Sequence, residues 1–560
     1  MTQESENRKY LNRHRLVIVA ILCLFGLLAS QSMPAVQQRA RKTRAKTKKA
    51  PEPKDNRVYL IHADVLHYDQ YKKADAQILN GDVQFRHNGA TLYCDSAYFY
   101  EASNSFEAFG NVKMVQGDTL TLISKYAFYD GNEQMAEARY DVVLTHRKQK
   151  LYTDSLNYDR LYNIGYFFEG GKLVDGKTVL TSDWGEYHTD TRMAVFNYNV
   201  RLRDNKMLLT GDTLYYDTSK SLAHAVGPST IINGGSIINT NDGYYNTKTE
   251  YSELYGRSVL KDGGKTLIGD SVYHNSEKDI SEAFGNVVYV DSINKNMLTS
   301  DYGWYDGGEG YAMVTKNARV IDYSQQDSLY MHADTFKLFT FNINTDSVYR
   351  KIHAYNKVRA YRIDVQAVCD SLVYNSLDSC MTMYKDPIVW NNNQQLLGEE
   401  IRVYMKDSTV DWAHVINQAL SVEQLTVDTT KFNQVSSKEM FAYFDNGNIR
   451  ESHAVDNVLT IFFPMDDADS TIILQNYLTT TLLKAFFNDR KLQRVWTPKA
   501  EGDAYPLSQI PPDRRALPSF AWFDYIRPLD KDDIFVWRGK KKEQELQPEK
   551  RRVAPVQSLE

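Results

Sequence analysis

From residue 58 to about 470, apolar and polar residues alternate in short runs, and Gly, Asn and Asp break the runs. No apolar stripe of helical period and useful length occurs there, so the pattern predicts strands. Within one representative stretch they are expected at Val112–Val115, Leu120–Ile123, Tyr126–Tyr129 and Met135–Arg139. Turn residues separate most of these runs.

The runs recur with a period near thirty. In one frame an acidic anchor is followed four residues later by an aromatic. The pairs are Asp64/Tyr68, Asp95/Phe99, Lys125/Tyr129, Asp154/Tyr158, Asp183/Tyr187, Asp212/Tyr216, Asn241/Tyr245, Asp270/His274, Asp301/Tyr305, Asp334/Leu338, Asp370/Tyr374, Glu400/Tyr404 and Glu439/Tyr443. Five consecutive steps are 29 residues, which chance does not supply. A second mark lies midway between anchors, strongest in the near-identical Glu107–Val115 and Glu282–Val290 and weaker at Tyr140-Asp141-Val142 and Asn199-Val200. It reads as a turn followed by a strand.

Alternate strand residues share a face. The residues two beyond each anchor include Leu66, Leu156, Leu214, Val272 and Leu372, and all but Arg402 are apolar or small. This face is expected to point inward, with the aromatic beside it. Units with one apolar face bury it by stacking, so the chain is expected to be an all-β solenoid of 13–14 repeats.

The anchors Asp64, Asp95, Asp154, Asp183, Asp212, Asp270, Asp301, Asp334 and Asp370 admit two readings. One is a column of carboxylates for calcium or acid–base work. The other is a turn anchor at a strand entrance, its carboxylate accepting backbone N–H bonds at a corner. Lys125 and Asn241 occupy the same position without disturbing the period, which favours the structural role. No metal site and no cofactor are expected.

Other segments are not repeat. Arg8, Lys9, Arg13 and Arg15 precede the apolar run Leu16–Ala29. Fourteen residues make about 21 Å of helix, short of a bilayer core of about 30 Å. Residues 1–30 therefore read as an export signal, with an uncleaved inner-membrane anchor as the alternative. Residues 31–57 form a basic linker expected to be disordered. Without residues 1–57 the chain has 53 basic and 67 acidic residues, a charge of −14, against −5 for all 560. That balance argues against nucleic acid and leaves three readings of the linker open: contact with an anionic membrane surface, contact with a phosphorylated glycolipid, and a plain solvated tether. Cys94, Cys369 and Cys380 are too few for a disulfide framework, and a Cys369–Cys380 pair is left open. Residues 497–538 are rich in proline and aromatics and read as a cap or docking element, with the cap preferred. Residues 539–560 form a charged tail.

The Ala-x-Gly-Asn-Val marks (Ala108 to Val112, Ala283 to Val287) alternate with Asp-x-φ-x-Tyr marks at Asp95, Asp154, Asp212 and Asp370. Over about 58–470, this pattern resembles the OstA-like family, the periplasmic lipopolysaccharide-export proteins of the LptA, LptC and LptD N-terminal type. The resemblance implies an antiparallel β-jellyroll, or β-taco, over 58–496. Its apolar groove would shield the acyl chains of lipid A. It implies end-to-end joining through terminal edge strands to other transport components of the inner and outer membranes. Residues placed on the groove lining are Leu66, Tyr68, Leu156, Tyr158, Tyr187, Leu214, Tyr216, Tyr245, Val272, Tyr305, Leu372 and Tyr374. A filled core presents the same stripe, so groove and core both remain open. The repeats number about twice those of a simple bridge member.

Two other functions compete with transport. A β-helix enzyme acting on carbohydrate needs a singular catalytic cluster, and no H-E-x-x-H, G-x-S-x-G or P-loop is present. An exported structural or adhesive solenoid needs only the stack.

Overall fold

The computed structural model describes residues 56–541, apart from positions 206, 344, 407–408, 446, 467–469 and 489–490. The expected signal or anchor, nearly all of the basic linker and most of the tail lie outside these residues. Among the described residues the chain forms one antiparallel sheet of 38 strands, followed by four short 3-10 turns.

Successive strands pair through tight hairpins. Gln77–His87 pairs with Ala90–Tyr100, which pairs in turn with Ser105–Gln116, and the series continues through Leu120–Asp130 and Met135–His146. Each thirty-residue repeat thus contributes two strands. The short strands expected from the alternation are halves of longer ones: Leu120–Ile123 and Tyr126–Tyr129 both belong to Leu120–Asp130.

What divides each long strand is a corner. Between Phe109 and Val112 the ladder slips, with Gly110 and Asn111 both left-handed (φ 68° and 45°). Two such residues in succession make a bulge that bends the strand sharply. Paired left-handed residues recur at Tyr140-Asp141, Tyr198-Asn199, Gly285-Asn286, Lys316-Asn317 and Asp456-Asn457. Stacked corners fold the sheet lengthwise into two walls around an apolar interior. The first wall holds stretches such as 96–100, 105–109 and 126–130; the second holds 90–94, 112–116 and 120–124.

The anchors sit at these corners, and Asp64, Asp183, Asp334 and Asp370 directly precede strands that begin at Val65, Trp184, Thr335 and Ser371. Four anchor carboxylates accept a hydrogen bond from the Asn amide sixteen residues on: Asn111 to Asp95 at 2.9 Å, Asn199 to Asp183 at 2.6 Å, Asn286 to Asp270 at 2.8 Å and Asn317 to Asp301 at 2.8 Å. The period's two marks are therefore partners. A left-handed non-glycine residue costs about 1 kcal/mol or more, and this bond offsets it. At Lys125 the pair is inverted, since the ammonium meets Asp141, again sixteen residues on. Asp154 is the one of these anchors seen accepting a backbone N–H, from Asp141 at 3.3 Å. Lys385 bridges Asp370 at 2.8 Å. Asp64 and Asp334 donate their own N–H to the corner carbonyls of Gly81 and Asn356. Asp212 lies where the ladder slips between Thr210 and Thr213. A Cβ at Gly110 would strike the Asp95 carboxylate as it is placed here, so any other residue would have to displace that carboxylate.

The C-terminal segment, expected as a cap or docking element, runs back along the stack. Ala500–Tyr505 pairs with Gln475–Thr480, and from Pro506 the chain turns back over the outer face of the second wall. Buried glutamines on that face hold this strap by its backbone. Gln475 donates to the Arg514 carbonyl (2.7 Å), and Gln434 accepts from the Leu517 N–H (2.8 Å). Gln395 donates to Ala521 and accepts from Phe523 (2.9 and 2.7 Å). Further back, Gln366 accepts from Arg527, and Arg359 donates to the Ile534 carbonyl. Phe523 and Ile526 pack on Trp390, Leu397, Leu420 and Val422. Prolines suit such an extended path because they lack an N–H to satisfy.

Cys369 and Cys380, the one pairing the sequence left open, are not joined. Both thiols are free and buried, and alternation along their strands puts them on opposite faces of the sheet.

The corner pairing is testable by exchange. Lys125→Asp should lower the melting temperature by setting two carboxylates together. Adding Asp141→Asn, which recreates the usual pair, should recover most of the loss in the same melts.

Candidate functional site

The candidate site is the interior between the walls. On the first wall, a large ring alternates with a small residue from strand to strand: Tyr129 faces Ala136, Tyr158 faces Ala136 and Gly165, Tyr187 faces Gly165 and Ala194, and Tyr216 faces Ala194 and Ala223. The small partners leave space for the rings to reach across toward the second wall.

There the tyrosine hydroxyls bridge the walls. Tyr129 bonds the ring of His87 (2.7 Å), Tyr187 bonds His146 (2.9 Å) and Tyr216 donates to Asp175 (3.1 Å). Arg160, from a first-wall hairpin, adds bonds to Tyr129, to Gln116 and to the Asn88 carbonyl of a second-wall hairpin. Burial holds His87 and His146 below the ordinary imidazole range, and Arg160 depresses His87 further. Neutral rings are what a phenol hydroxyl can donate to. Burial, reinforced by Asp175, pushes Tyr216 up to about 12; burial, then Glu250 and Asp204, does the same at Tyr245.

Up to about Ser258 the interior is closed and filled. Leu156, Tyr158, Leu214 and Tyr216 have no exposure, and Tyr187 and Tyr245 are at 2–3%. A space of about 10 Å³ beside Phe85 and Tyr129 is no larger than one water needs.

Beyond Ser258 the row against the corner stays buried, including Val272, Phe336, Leu372 and Ile401. The next row outward is no longer covered. Leu260, Leu267, Tyr289, Leu298, Val320 and Met331 of the second wall, and Leu338, Tyr374, Met381 and Val403 of the first, are half-buried. Tyr305 and Ile352 are exposed, at 44% and 37%. The same apolar stripe thus lines a closed core in one half and an open groove in the other.

Three sequence-placed residues fall differently from expectation. Leu66 and Tyr68, expected inward, are exposed because their strand, Val65–Tyr68, is the terminal one and its inner side has no cover. Tyr305, also expected inward, lies at the open mouth. At the last anchors the frame slips by one. Ile401 and Val403 pair with buried Val415 and Ala413, so Arg402 and Tyr404 face outward. A one-residue slip exchanges the two faces of a strand. The bridging partners His87, His146 and Asp175 were not singled out in the sequence, although they stand 41 or 42 residues before their tyrosines. Among the described residues, no group of three or more His, Cys, Asp or Glu is placed to hold a metal ion. No helix among them is long and apolar enough to cross a membrane.

Residues 55–212 and 248–333 match the family model described as OstA-like protein. These stretches are OstA-like. The match takes in much of the closed, OstA-like half and the start of the open groove. Among solved structures, the chain is similar to LptH of Pseudomonas aeruginosa, described as the LptA-homologous periplasmic component of the lipopolysaccharide transport device. Identity is 15%, over 26% of this chain and 81% of that one, with a TM-score of 0.13. No curated protein matches.

Tyr216→Phe keeps the ring and loses the bond to Asp175, and should cost about 1 kcal/mol in denaturant unfolding. Tyr216→Ala leaves a cavity as well and should cost about 3–5 kcal/mol. Because burial raises Tyr216 and Tyr245 to about 12 from an ordinary 10, the folded state favours the neutral phenol. Their stability contribution should be intact below pH 10 and lost as pH climbs toward 12, read as a falling denaturation midpoint.

Proposed function

We propose that this chain is a non-enzymatic lipopolysaccharide-transport protein of the bridge type, exported to the periplasm, whose open half shields lipid A acyl chains. The observation that carries the reading is the change along the interior, where an apolar stripe filled up to Ser258 becomes a half-exposed groove from Leu260 onward. Each methylene taken out of water is worth about 0.8 kcal/mol, so an apolar groove open along one side suits acyl chains whose polar head stays in solvent. The OstA-like match supports the same reading. The closed half, with its hydrogen-bonded mouth, then serves as a rigid spacer and not as the cargo site.

Both ends of the stack suit end-to-end joining. Tyr59–His62 and Val65–Tyr68 at one end, and Lys491–Trp496 at the other, are terminal strands carrying exposed Ile61, Val65, Leu66, Val495 and Trp496. Strand addition at such edges is the proposed means of contact with other OstA-like components.

A photo-cross-linking residue at Ile352 or Tyr305 should form adducts with lipopolysaccharide in cells, and the same residue at Tyr158 or Leu214 should form none. Equal labelling of both halves would remove the spacer role. Labelling of neither would remove the cargo reading.

A further inference from the structure

The outer face of the second wall carries an unbalanced charge. From Gln84 to Thr299, the outward positions of this wall include Arg86, Lys113, Lys150, Lys172, Arg201, Arg203 and Lys261, and no Asp or Glu. All seven cations are exposed, and among the described residues none makes an ion pair. The opposite wall differs. Its outward face carries Glu107, Glu137, Glu186, Asp242, Glu253 and Glu282, which engage Lys73, Arg139, His188, His224, Tyr255 and Tyr302. A net charge of −14 outside residues 1–57 makes seven unmatched cations on one face a segregated feature.

The layout restricts the ligand. The cations span twelve strand steps, about 60 Å at 4.8 Å per step, and do not converge on any one point. A pocket for a single phosphate would gather them. Between them lie exposed Tyr93, Ile123, Tyr152, Ile232 and Ile237. Cations spread along a sheet face and interleaved with tyrosines and branched aliphatics are the composition of a protein surface at a lipid headgroup layer. Farther along the stack, from Arg319 to Gln475, the strap occupies this same wall, so the basic area is the part left bare.

We propose that this bare half of the second wall lies against an anionic bilayer surface. The contact is independent of the groove and of its cargo.

The test is sedimentation of the full chain with vesicles of phosphatidylcholine alone or with 30% phosphatidylglycerol. The variants are Lys113→Glu/Lys172→Glu/Arg201→Glu and, separately, deletion of residues 39–57. Circular dichroism checks that each is folded. The full chain should bind only the anionic vesicles and release at least tenfold when salt rises from 0.05 to 0.5 M, as screening shortens the range of the charges. The triple reversal should lose at least tenfold in affinity, whereas the linker deletion should retain measurable binding that the same triple reversal then abolishes. Unchanged binding of the triple reversal would overturn the proposal and assign attachment to the linker. So would capture by a soluble polyanion without capture by vesicles, which would indicate a polymer partner.

Discussion

Everything in this fold depends on a bend at the middle of each strand. A straight antiparallel meander of this length would be a flat ribbon with one face of Leu, Ala and Tyr in water. Two consecutive left-handed residues crease alternate strands, and at several corners a carboxylate on the preceding strand holds the crease through the Asn side chain. The energy of one such bond is small. Its repetition at the same height in successive strands is what gives the sheet an inside.

Once creased, the two halves use that inside differently. Where the tyrosine hydroxyls find His87, His146 or Asp175 across the mouth, the walls close and aromatic rings fill the space. Past Ser258 those partners give out: Tyr305 stands where a bridging tyrosine would, and it is exposed. The outer row loses its cover while the row at the corner keeps it. Support passes from within to without over much the same stretch, since the strap grips the second wall between Arg319 and Gln475. A sheet held from behind can keep its front open.

The strands, the period and the inward stripe were legible because period-two alternation is a local signal that survives without knowledge of partners. The pairing of anchor and corner was legible only in part. Both marks stood in the sequence, but that Asp95 holds Asn111 requires knowing that a hairpin brings positions sixteen apart side by side. Open against closed was not legible, because Leu214 and Leu338 look alike in a stripe. What separates them is a hydroxyl partner some forty residues away and the cover it brings. The frame error at Glu400 is of the same kind, since acidic residues at 399 and 400 offer two registers and only the pairing of Ile401 with Val415 selects one. The strap escaped because its glutamines, at 366, 395, 434 and 475, lie outside the repeat's marks and are defined by what arrives last.

That order of arrival matters for biogenesis. The repeats can zip up one hairpin at a time as the polypeptide emerges, each rung finding its neighbour already made. The strap belongs to the last forty or so residues before the tail, so the buried amides of Gln395 and Gln434 have no mates until that segment has arrived. A nascent molecule therefore passes through a stage in which its later rungs exist but their back is unclad, with Trp390 bare to solvent.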